Sequence, residues 1–156
     1  MAAWQSSDEK HLVVFDLAGE TYGVPISAVN EIGEMRRVTA VPGAPGFIEG
    51  IINLRGAVIP VIDLRKQFGL QCAGLGKNSR IIVIEVQGHT LGAIVDQVTE
   101  VLRVKPTEIE PPSPIIIGPG SRFIEGVAKV GDRLIIVVDL TKLLSAEEAG
   151  DLDKAT

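Results

Sequence analysis

The sequence predicts an all-β fold, mainly β with short helices, arranged as two five-stranded β-barrels related by an internal repeat. Three observations predict it. The first is the repeat: Phe47-Ile48-Glu49-Gly50 returns as Phe123-Ile124-Glu125-Gly126, and nine of the twenty positions in 47–66 match 123–142 without a gap. Upstream, at an offset of 69, Gly19, Thr21, Gly23, Val29 and Glu31 line up with Gly88, Thr90, Gly92, Val98 and Glu100. Chance would give roughly one identity in a window of either size. The second is that the apolar runs are strand-length and rich in Val and Ile, as in Leu12-Val13-Val14-Phe15 and Ile81-Ile82-Val83-Ile84. The third is the punctuation, 17 glycines and 9 prolines in 156 residues, which marks many turns.

Taken in chain order, each half opens with a hairpin. Ala18-Gly19-Glu20 and Gln87-Gly88-His89 turn the chain, and glycine there allows a positive φ. A short amphipathic helix is expected over 27–32 and again over 96–101, with Ser27 and Asp96 as N-caps. On such a helix Val29 and Ile32 share one face, with Glu31 beside them. Each half closes with a second hairpin, around Arg55-Gly56 and Gly131-Asp132. Asp63 and Asp139 then stand where strand gives way to helix and can accept backbone N–H bonds. Strands of this number and spacing fold most economically by closing on themselves, which removes exposed edges. The first barrel is expected over 11–70 and the second over 80–144, within one domain spanning 1–156, with a helical tail over 145–156 that Ser145 caps. Residues 68–78 read as an irregular connection, and 105–121 as a long Pro/Gly loop.

Composition narrows the function classes. Fifteen basic residues stand against 20 acidic ones, a formal net charge of −5, and aromatics are 4%. Such a chain is a poor candidate for nucleic acid or an anionic membrane surface. No apolar run approaches the ~18 residues a membrane-spanning helix needs. The first residues lack a secretory pattern, so a cytoplasmic location is expected. Cys72 is alone, which leaves no cysteine pair for a disulfide or a cysteine metal cluster. His11 and His89 have no partner at a spacing that suggests a triad or a metal site. No catalytic residue, metal or cofactor is expected.

The differences between the halves are more informative. Arg55 sits at a hairpin tip where the other half has Gly131. A tip does not require an arginine. Arg55 is therefore available for a carboxylate or carbonyl on a partner, or for a bond within the molecule.

Glu20-Thr21-Tyr22-Gly23-Val24, Val29-Asn30-Glu31-Ile32, the run Phe47 to Gly56 ending in Asn53-Leu54-Arg55-Gly56, and Ile59-Pro60-Val61-Ile62-Asp63-Leu64-Arg65 together closely resemble the CheW family, the coupling proteins of bacterial chemotaxis arrays. The resemblance runs from about His11 to Leu144. It implies that the barrels are SH3-like and that the protein is a non-enzymatic adaptor recruited to membrane receptor arrays. It further implies two partners: the cytoplasmic tip of a chemoreceptor coiled coil, held in the groove between the barrels, and the regulatory domain of a CheA-type histidine kinase. Carried onto this sequence, Val29, Glu31, Ile32 and Val98 lie near the receptor groove, and Gly50 and Arg55 are first-barrel positions important for coupling. An adaptor of a sibling pathway, such as twitching motility, is an alternative. A small-ligand-binding double barrel is another, and a large apolar pocket with converging polar groups would favour it.

Overall fold

The computed structural model describes residues 10–71, 74, 76–112, 123–144, 148 and 150. Eleven strands occur among them, with one four-residue helix: β1 Lys10–Leu17, β2 Glu20–Pro25, β3 Val29–Glu34, β4 Ile48–Leu54, β5 Ala57–Asp63, α1 Leu64–Gln67, β6 Arg80–Val86, β7 His89–Val95, β8 Gln97–Val104, β9 Ile109–Glu110, β10 Ile124–Val130 and β11 Arg133–Val138. They form two sheets, ordered β8-β1-β2-β11-β10-β9 and β3-β6-β7-β5-β4. The end strands β8 and β9 of the first are neighbours in sequence, joined by the 3₁₀ turn Pro106–Glu108, so that sheet curls back on itself. The second closes in the same manner, through a bridge from Thr39, downstream of β3, to Ile51 on β4. Both are small barrels, as the repeat predicts.

The composition of the barrels differs from the expected division at 11–70 and 80–144. The β1–β2 hairpin pairs with β8 and, in parallel, with β11. The β6–β7 hairpin pairs with β3 and, again in parallel, with β5. Each half's opening hairpin therefore completes the other half's barrel. One barrel is contiguous, running from β3 through β7. The other is made of β1, β2 and β8–β11, and encloses the first in sequence. We call them the inner and the outer barrel. Alternating apolar patterns specify which face of a strand is buried but not which strand lies beside it, so the repeat is compatible with either partition.

The exchange explains why the central runs are apolar at every position. Leu12 and Val14 point into the outer barrel with Ile135 and Val137. Ile81 and Val83 point into the inner barrel with Ile52 and Val61. The intervening residues, Val13, Phe15 and Leu17 on β1 and Ile82, Ile84 and Val86 on β6, meet in a third and larger core between the barrels. Strands buried on both faces lose the polar half of their alternation. Phe68, just after α1, reaches across this core and stacks on Phe123 with ring centroids 4.2 Å apart.

Two further expectations are overturned. Segments 27–32 and 96–101 are not helices: a 3₁₀ turn covers Ile26–Ala28, and β3 and β8 take the rest. A helix of six residues is marginal on its own, and the β-branched Val29, Ile32, Val98 and Val101 suit strands that pair with β6 and β1. Nor is 105–121 entirely loop, since β9 lies within it and pairs with β10. Residues 113–121 and the expected Ser145 cap lie outside the described residues. Asp63 and Asp139 do cap: their Oδ1 atoms accept from Arg65 N at 3.0 Å and Thr141 N at 2.9 Å.

Candidate functional site

The predicted site residues fall into three places. Val29 opens β3 and is half-buried, packing against the core shared by the two barrels; Val98, on β8, is half-buried against that same core. The two are equivalent by the repeat, one on the inner barrel and one on the outer. Both pack on the core between the barrels. Ile32 does not share a face with Val29. Along β3 the side chains alternate between half-buried and exposed, and the register shifts between Val29 and Glu31, leaving Ile32 40% exposed.

Gly50 is buried. A Cβ placed there would lie 2.4 Å from the carbonyl oxygen of Thr39 and 2.7 Å from a methyl of Val38. Gly126 stands in the same relation to the Glu110 carbonyl oxygen, at 2.7 Å. Both follow a bulge, at Glu49 and Glu125, where the ladder skips one residue. The bulged glutamates turn to Lys66 at 3.2 Å and Lys142 at 3.3 Å. The repeated Phe-Ile-Glu-Gly motif thus consists of a buried aromatic, a bulge with its ion pair, and a glycine on which another strand closes.

Arg55 is at the surface and is paired within the molecule. It occupies the tip between β4 and β5 with a φ of 51°, a left-handed conformation that side-chain-bearing residues seldom adopt. Its guanidinium meets Glu31 of β3 in a fork: Nη1 donates to Oε2 at 2.9 Å and Nη2 donates to Oε1. This lowers the Glu31 pKa, chiefly through the hydrogen bond, and raises that of Arg55. The Arg55 side chain remains 70% exposed, so the fork ties β3 to the hairpin tip while presenting its edge to solvent.

The outer barrel has a pair of the same kind that the alignment of Arg55 with Gly131 conceals. Arg133, two residues beyond Gly131, donates from Nη1 to Glu100 Oε2 at 3.0 Å. Glu100 is the repeat equivalent of Glu31. Exposed apolar residues follow the repeat as well. Ile32 at 40% corresponds to Val101 at 50%, and Val58 at 66% to Leu134 at 63%. Each barrel therefore presents two exposed aliphatic side chains within three residues of its arginine–glutamate pair. The repeat hides the second set because its arginine is displaced by two positions; the signal it does carry is an apolar residue at both members of the pairs Ile32/Val101 and Val58/Leu134.

The Asp96 carboxylate is the most heavily bonded near the seam. It accepts from Arg65 Nε at 2.8 Å, from Arg65 Nη2 at 2.5 Å and from Ala18 N at 2.9 Å. The bond from Arg65 is the main cause of its lowered pKa. Beside it lies a cleft of about 510 Å³ whose walls include Asp16, Arg65, Lys77, Asn78, Asp96 and Gln97. This lining is polar, unlike the mostly apolar lining of a typical small-molecule site. Among the described residues, no group of His, Cys, Asp and Glu is placed to hold a metal ion, and no helix is long and apolar enough to cross a membrane.

Residues 11–148 match the model of the CheW-like domain. The chain belongs to the CheW-like domain family. It is 35% identical over 147 residues to the chemotaxis protein CheW of Treponema pallidum, covering 92% of this chain and 86% of that protein. It is 34% identical over 149 residues to the chemotaxis protein CheW of Bacillus subtilis, covering 96% and 95%. The crystal structure of the scaffolding protein TtCheW from Thermoanaerobacter tengcongensis superposes with a TM-score of 0.81 at 45% identity, over 90% of this chain and 96% of that one. CheW-like double barrels are thus the architecture of this protein.

Proposed function

We propose that this protein is a non-enzymatic cytoplasmic adaptor of a chemosensory array, which couples the cytoplasmic tip of a chemoreceptor to the regulatory domain of a CheA-type histidine kinase. Membership in the CheW-like family supports the adaptor class, as do relatives named chemotaxis proteins and a structural neighbour described as a scaffold. The observation that carries the division of labour is the contrast on β3 between Val29, packed on the core shared by the barrels, and Glu31, held in an ion pair whose arginine is exposed. Val29 and Val98 pack on the core between the barrels, whereas the Arg55–Glu31 fork lies at a hairpin tip of the inner barrel. A receptor tip is a helical hairpin, and a helix docks by laying an apolar face into a groove. In this reading the seam serves as that groove. The fork, with Ile32 and Val58 exposed nearby in the same sheet, offers the kinase a charged and apolar edge. Such edges give orientation and specificity.

The test is a pair of titrations with isolated receptor-tip and kinase regulatory fragments. Val29→Asp places a charge without a partner in the seam, which is costly. It should weaken receptor binding strongly and leave kinase binding in place. Equal loss of both at an unchanged melting temperature would show a single shared surface. Equal loss with a lowered melting temperature would make Val29 a core residue only.

A further inference from the structure

The chain crosses between the barrels twice, and the two crossings are built differently. The first passes from β2 to β3 through Ser27, two residues before Val29. The second passes from β7 to β8 through Asp96, two residues before Val98. Ser27 and Asp96 are equivalent in the repeat, as are Thr141 and Arg65, which follow the end of each second hairpin. At the first crossing both are uncharged, and the Thr141 hydroxyl donates to its own cap residue, Asp139 Oδ1, at 2.5 Å. At the second crossing they are an ion pair.

That pair joins three parts of the molecule. Arg65 is on α1, at the end of the inner barrel. Ala18, whose N–H donates to Asp96 Oδ2, is in the turn of the outer barrel's first hairpin. Asp96 lies on the connection itself, and its own N–H donates to Asp16 O at 3.1 Å. Arg65 is held in turn, because Nη1 donates to Gln71 O at 2.8 Å. The Arg65 and Asp96 side chains are only 18% and 30% exposed, so water screens this pair less than the other ion pairs described here.

We infer that Asp96 and Arg65 are positioning residues for partner docking: they clamp the start of β8 to both barrels and so fix the Val98 wall of the seam, while among the described residues no ion pair involves the Ser27 crossing that leads to Val29. The inference rests on the reading of the seam as the receptor groove. The clamp does not touch the docked helix. It sets the place of one of the two walls against which the helix packs, and a helix–groove fit tolerates little displacement of a wall. The kinase edge around Arg55 lies outside the clamp and does not depend on it.

The experiment uses the full chain with Asp96→Asn, Asp96→Glu and Arg65→Gln, and Lys77→Ala as a control within the same cleft. Binding is titrated with a soluble receptor-tip hairpin and separately with a kinase regulatory fragment, and the Val98 and Val29 methyl resonances are followed by NMR. Asp96→Asn and Arg65→Gln should each weaken receptor binding about five-fold or more, the lower end of ordinary coupling effects. Kinase binding should not change. Val98 methyls should shift and Val29 methyls should not. Asp96→Glu, which keeps the charge, should recover part of the affinity, and Lys77→Ala should match wild type. Shifted Val98 methyls with full receptor affinity would overturn the positioning role, as would unshifted Val98 methyls. If Val29→Asp binds the receptor fragment as wild type does, the groove reading itself fails. If Val29→Asp loses binding and the clamp variants do not, only the clamp fails.

Discussion

The inner and outer barrels share strand plan, bulges, caps and edge glycines, yet they differ where charge meets surface. Where the two agree, the shared feature has an internal explanation. Gly50 and Gly126 sit beneath the carbonyls of Thr39 and Glu110, and Glu49 and Glu125 pair with Lys66 and Lys142. Where they disagree, internal need is a weaker explanation. The inner barrel places an arginine in a left-handed turn position at which the outer barrel has glycine, the residue that accepts that conformation without cost. The outer barrel makes an arginine–glutamate pair without that strain, from Arg133 at the start of β11. Bracing β3 to the hairpin therefore does not require Arg55 in a left-handed turn. The comparison teaches that repeat identity marks the fold, whereas the manner in which the halves depart from it marks the surfaces to be tested.

The largest expected effect probes the agreement. Gly50→Val and Gly126→Val should both destabilise, by about 1–3 kcal/mol or more as overpacked positions do. Gly50→Val should be the worse, since its Cβ would approach a carbonyl oxygen to 2.4 Å rather than 2.7 Å. Urea midpoints of the two variants decide this. A stable Gly50→Val that fails only in kinase activation would return Gly50 to the partner-binding positions that the family resemblance implies.

The next effect probes the disagreement, and is read in coupling rather than stability. Both arginine–glutamate pairs are largely exposed, and exposed ion pairs add little to stability. Arg55→Glu and Arg133→Glu should melt close to wild type. Arg55→Glu should abolish most kinase activation in a reconstituted receptor–kinase–adaptor assay. The discriminating variant is the exchange Glu31→Arg with Arg55→Glu, which can reform the internal pair with its polarity reversed. If Arg55 only braces β3, the exchange restores activation. If Arg55 meets a partner, the exchange remains defective, and that is the expected result.

Much of this was legible in the residues, for physical reasons. A gap-free repeat requires two copies of one structure, and Asp before a helical turn has a bond to make, so barrels and caps followed. Val98 entered only through the family resemblance, since nothing in the sequence alone sets it apart from the other apolar strand residues. The exchange of hairpins was not legible, since β1 has the same apolar pattern whichever strand lies beside it. The helices expected at 27–32 and 96–101 failed because six residues carry too little periodic information to separate a helix from a bulged strand, and pairing with β6 and β1 decided the matter. The partner of Arg55 could not be read at all: Glu31 is 24 residues away, and only the closing of the barrel brings the two together.

The smallest expected effect is in acid, where two carboxylates near Arg65 respond in opposite senses. Asp96 has its pKa lowered, first by the Arg65 bond, against the ordinary aspartate value of about 3.9. A group whose folded pKa is depressed contributes stability that is fully present above the unfolded value and is lost as pH falls through the folded one. Asp63 has its pKa raised, first by burial and against the bond it accepts from Arg65. Its ionised form therefore costs the folded state some stability at neutral pH, and the cost is relieved as pH falls through its folded value. Melting temperature should accordingly rise slightly as Asp63 takes up its proton, then fall below about pH 4 as Asp96 takes up its own. Asp96→Asn should flatten that lower limb and melt below wild type at pH 7. Asp63→Asn should leave the lower limb intact and melt at or slightly above wild type at pH 7, because asparagine also caps and carries no charge to desolvate. An unchanged lower limb in Asp96→Asn would mean that its bonds to Arg65 and Ala18 add nothing to the union of the barrels, and the contrast between the two crossings would then be one of sequence alone.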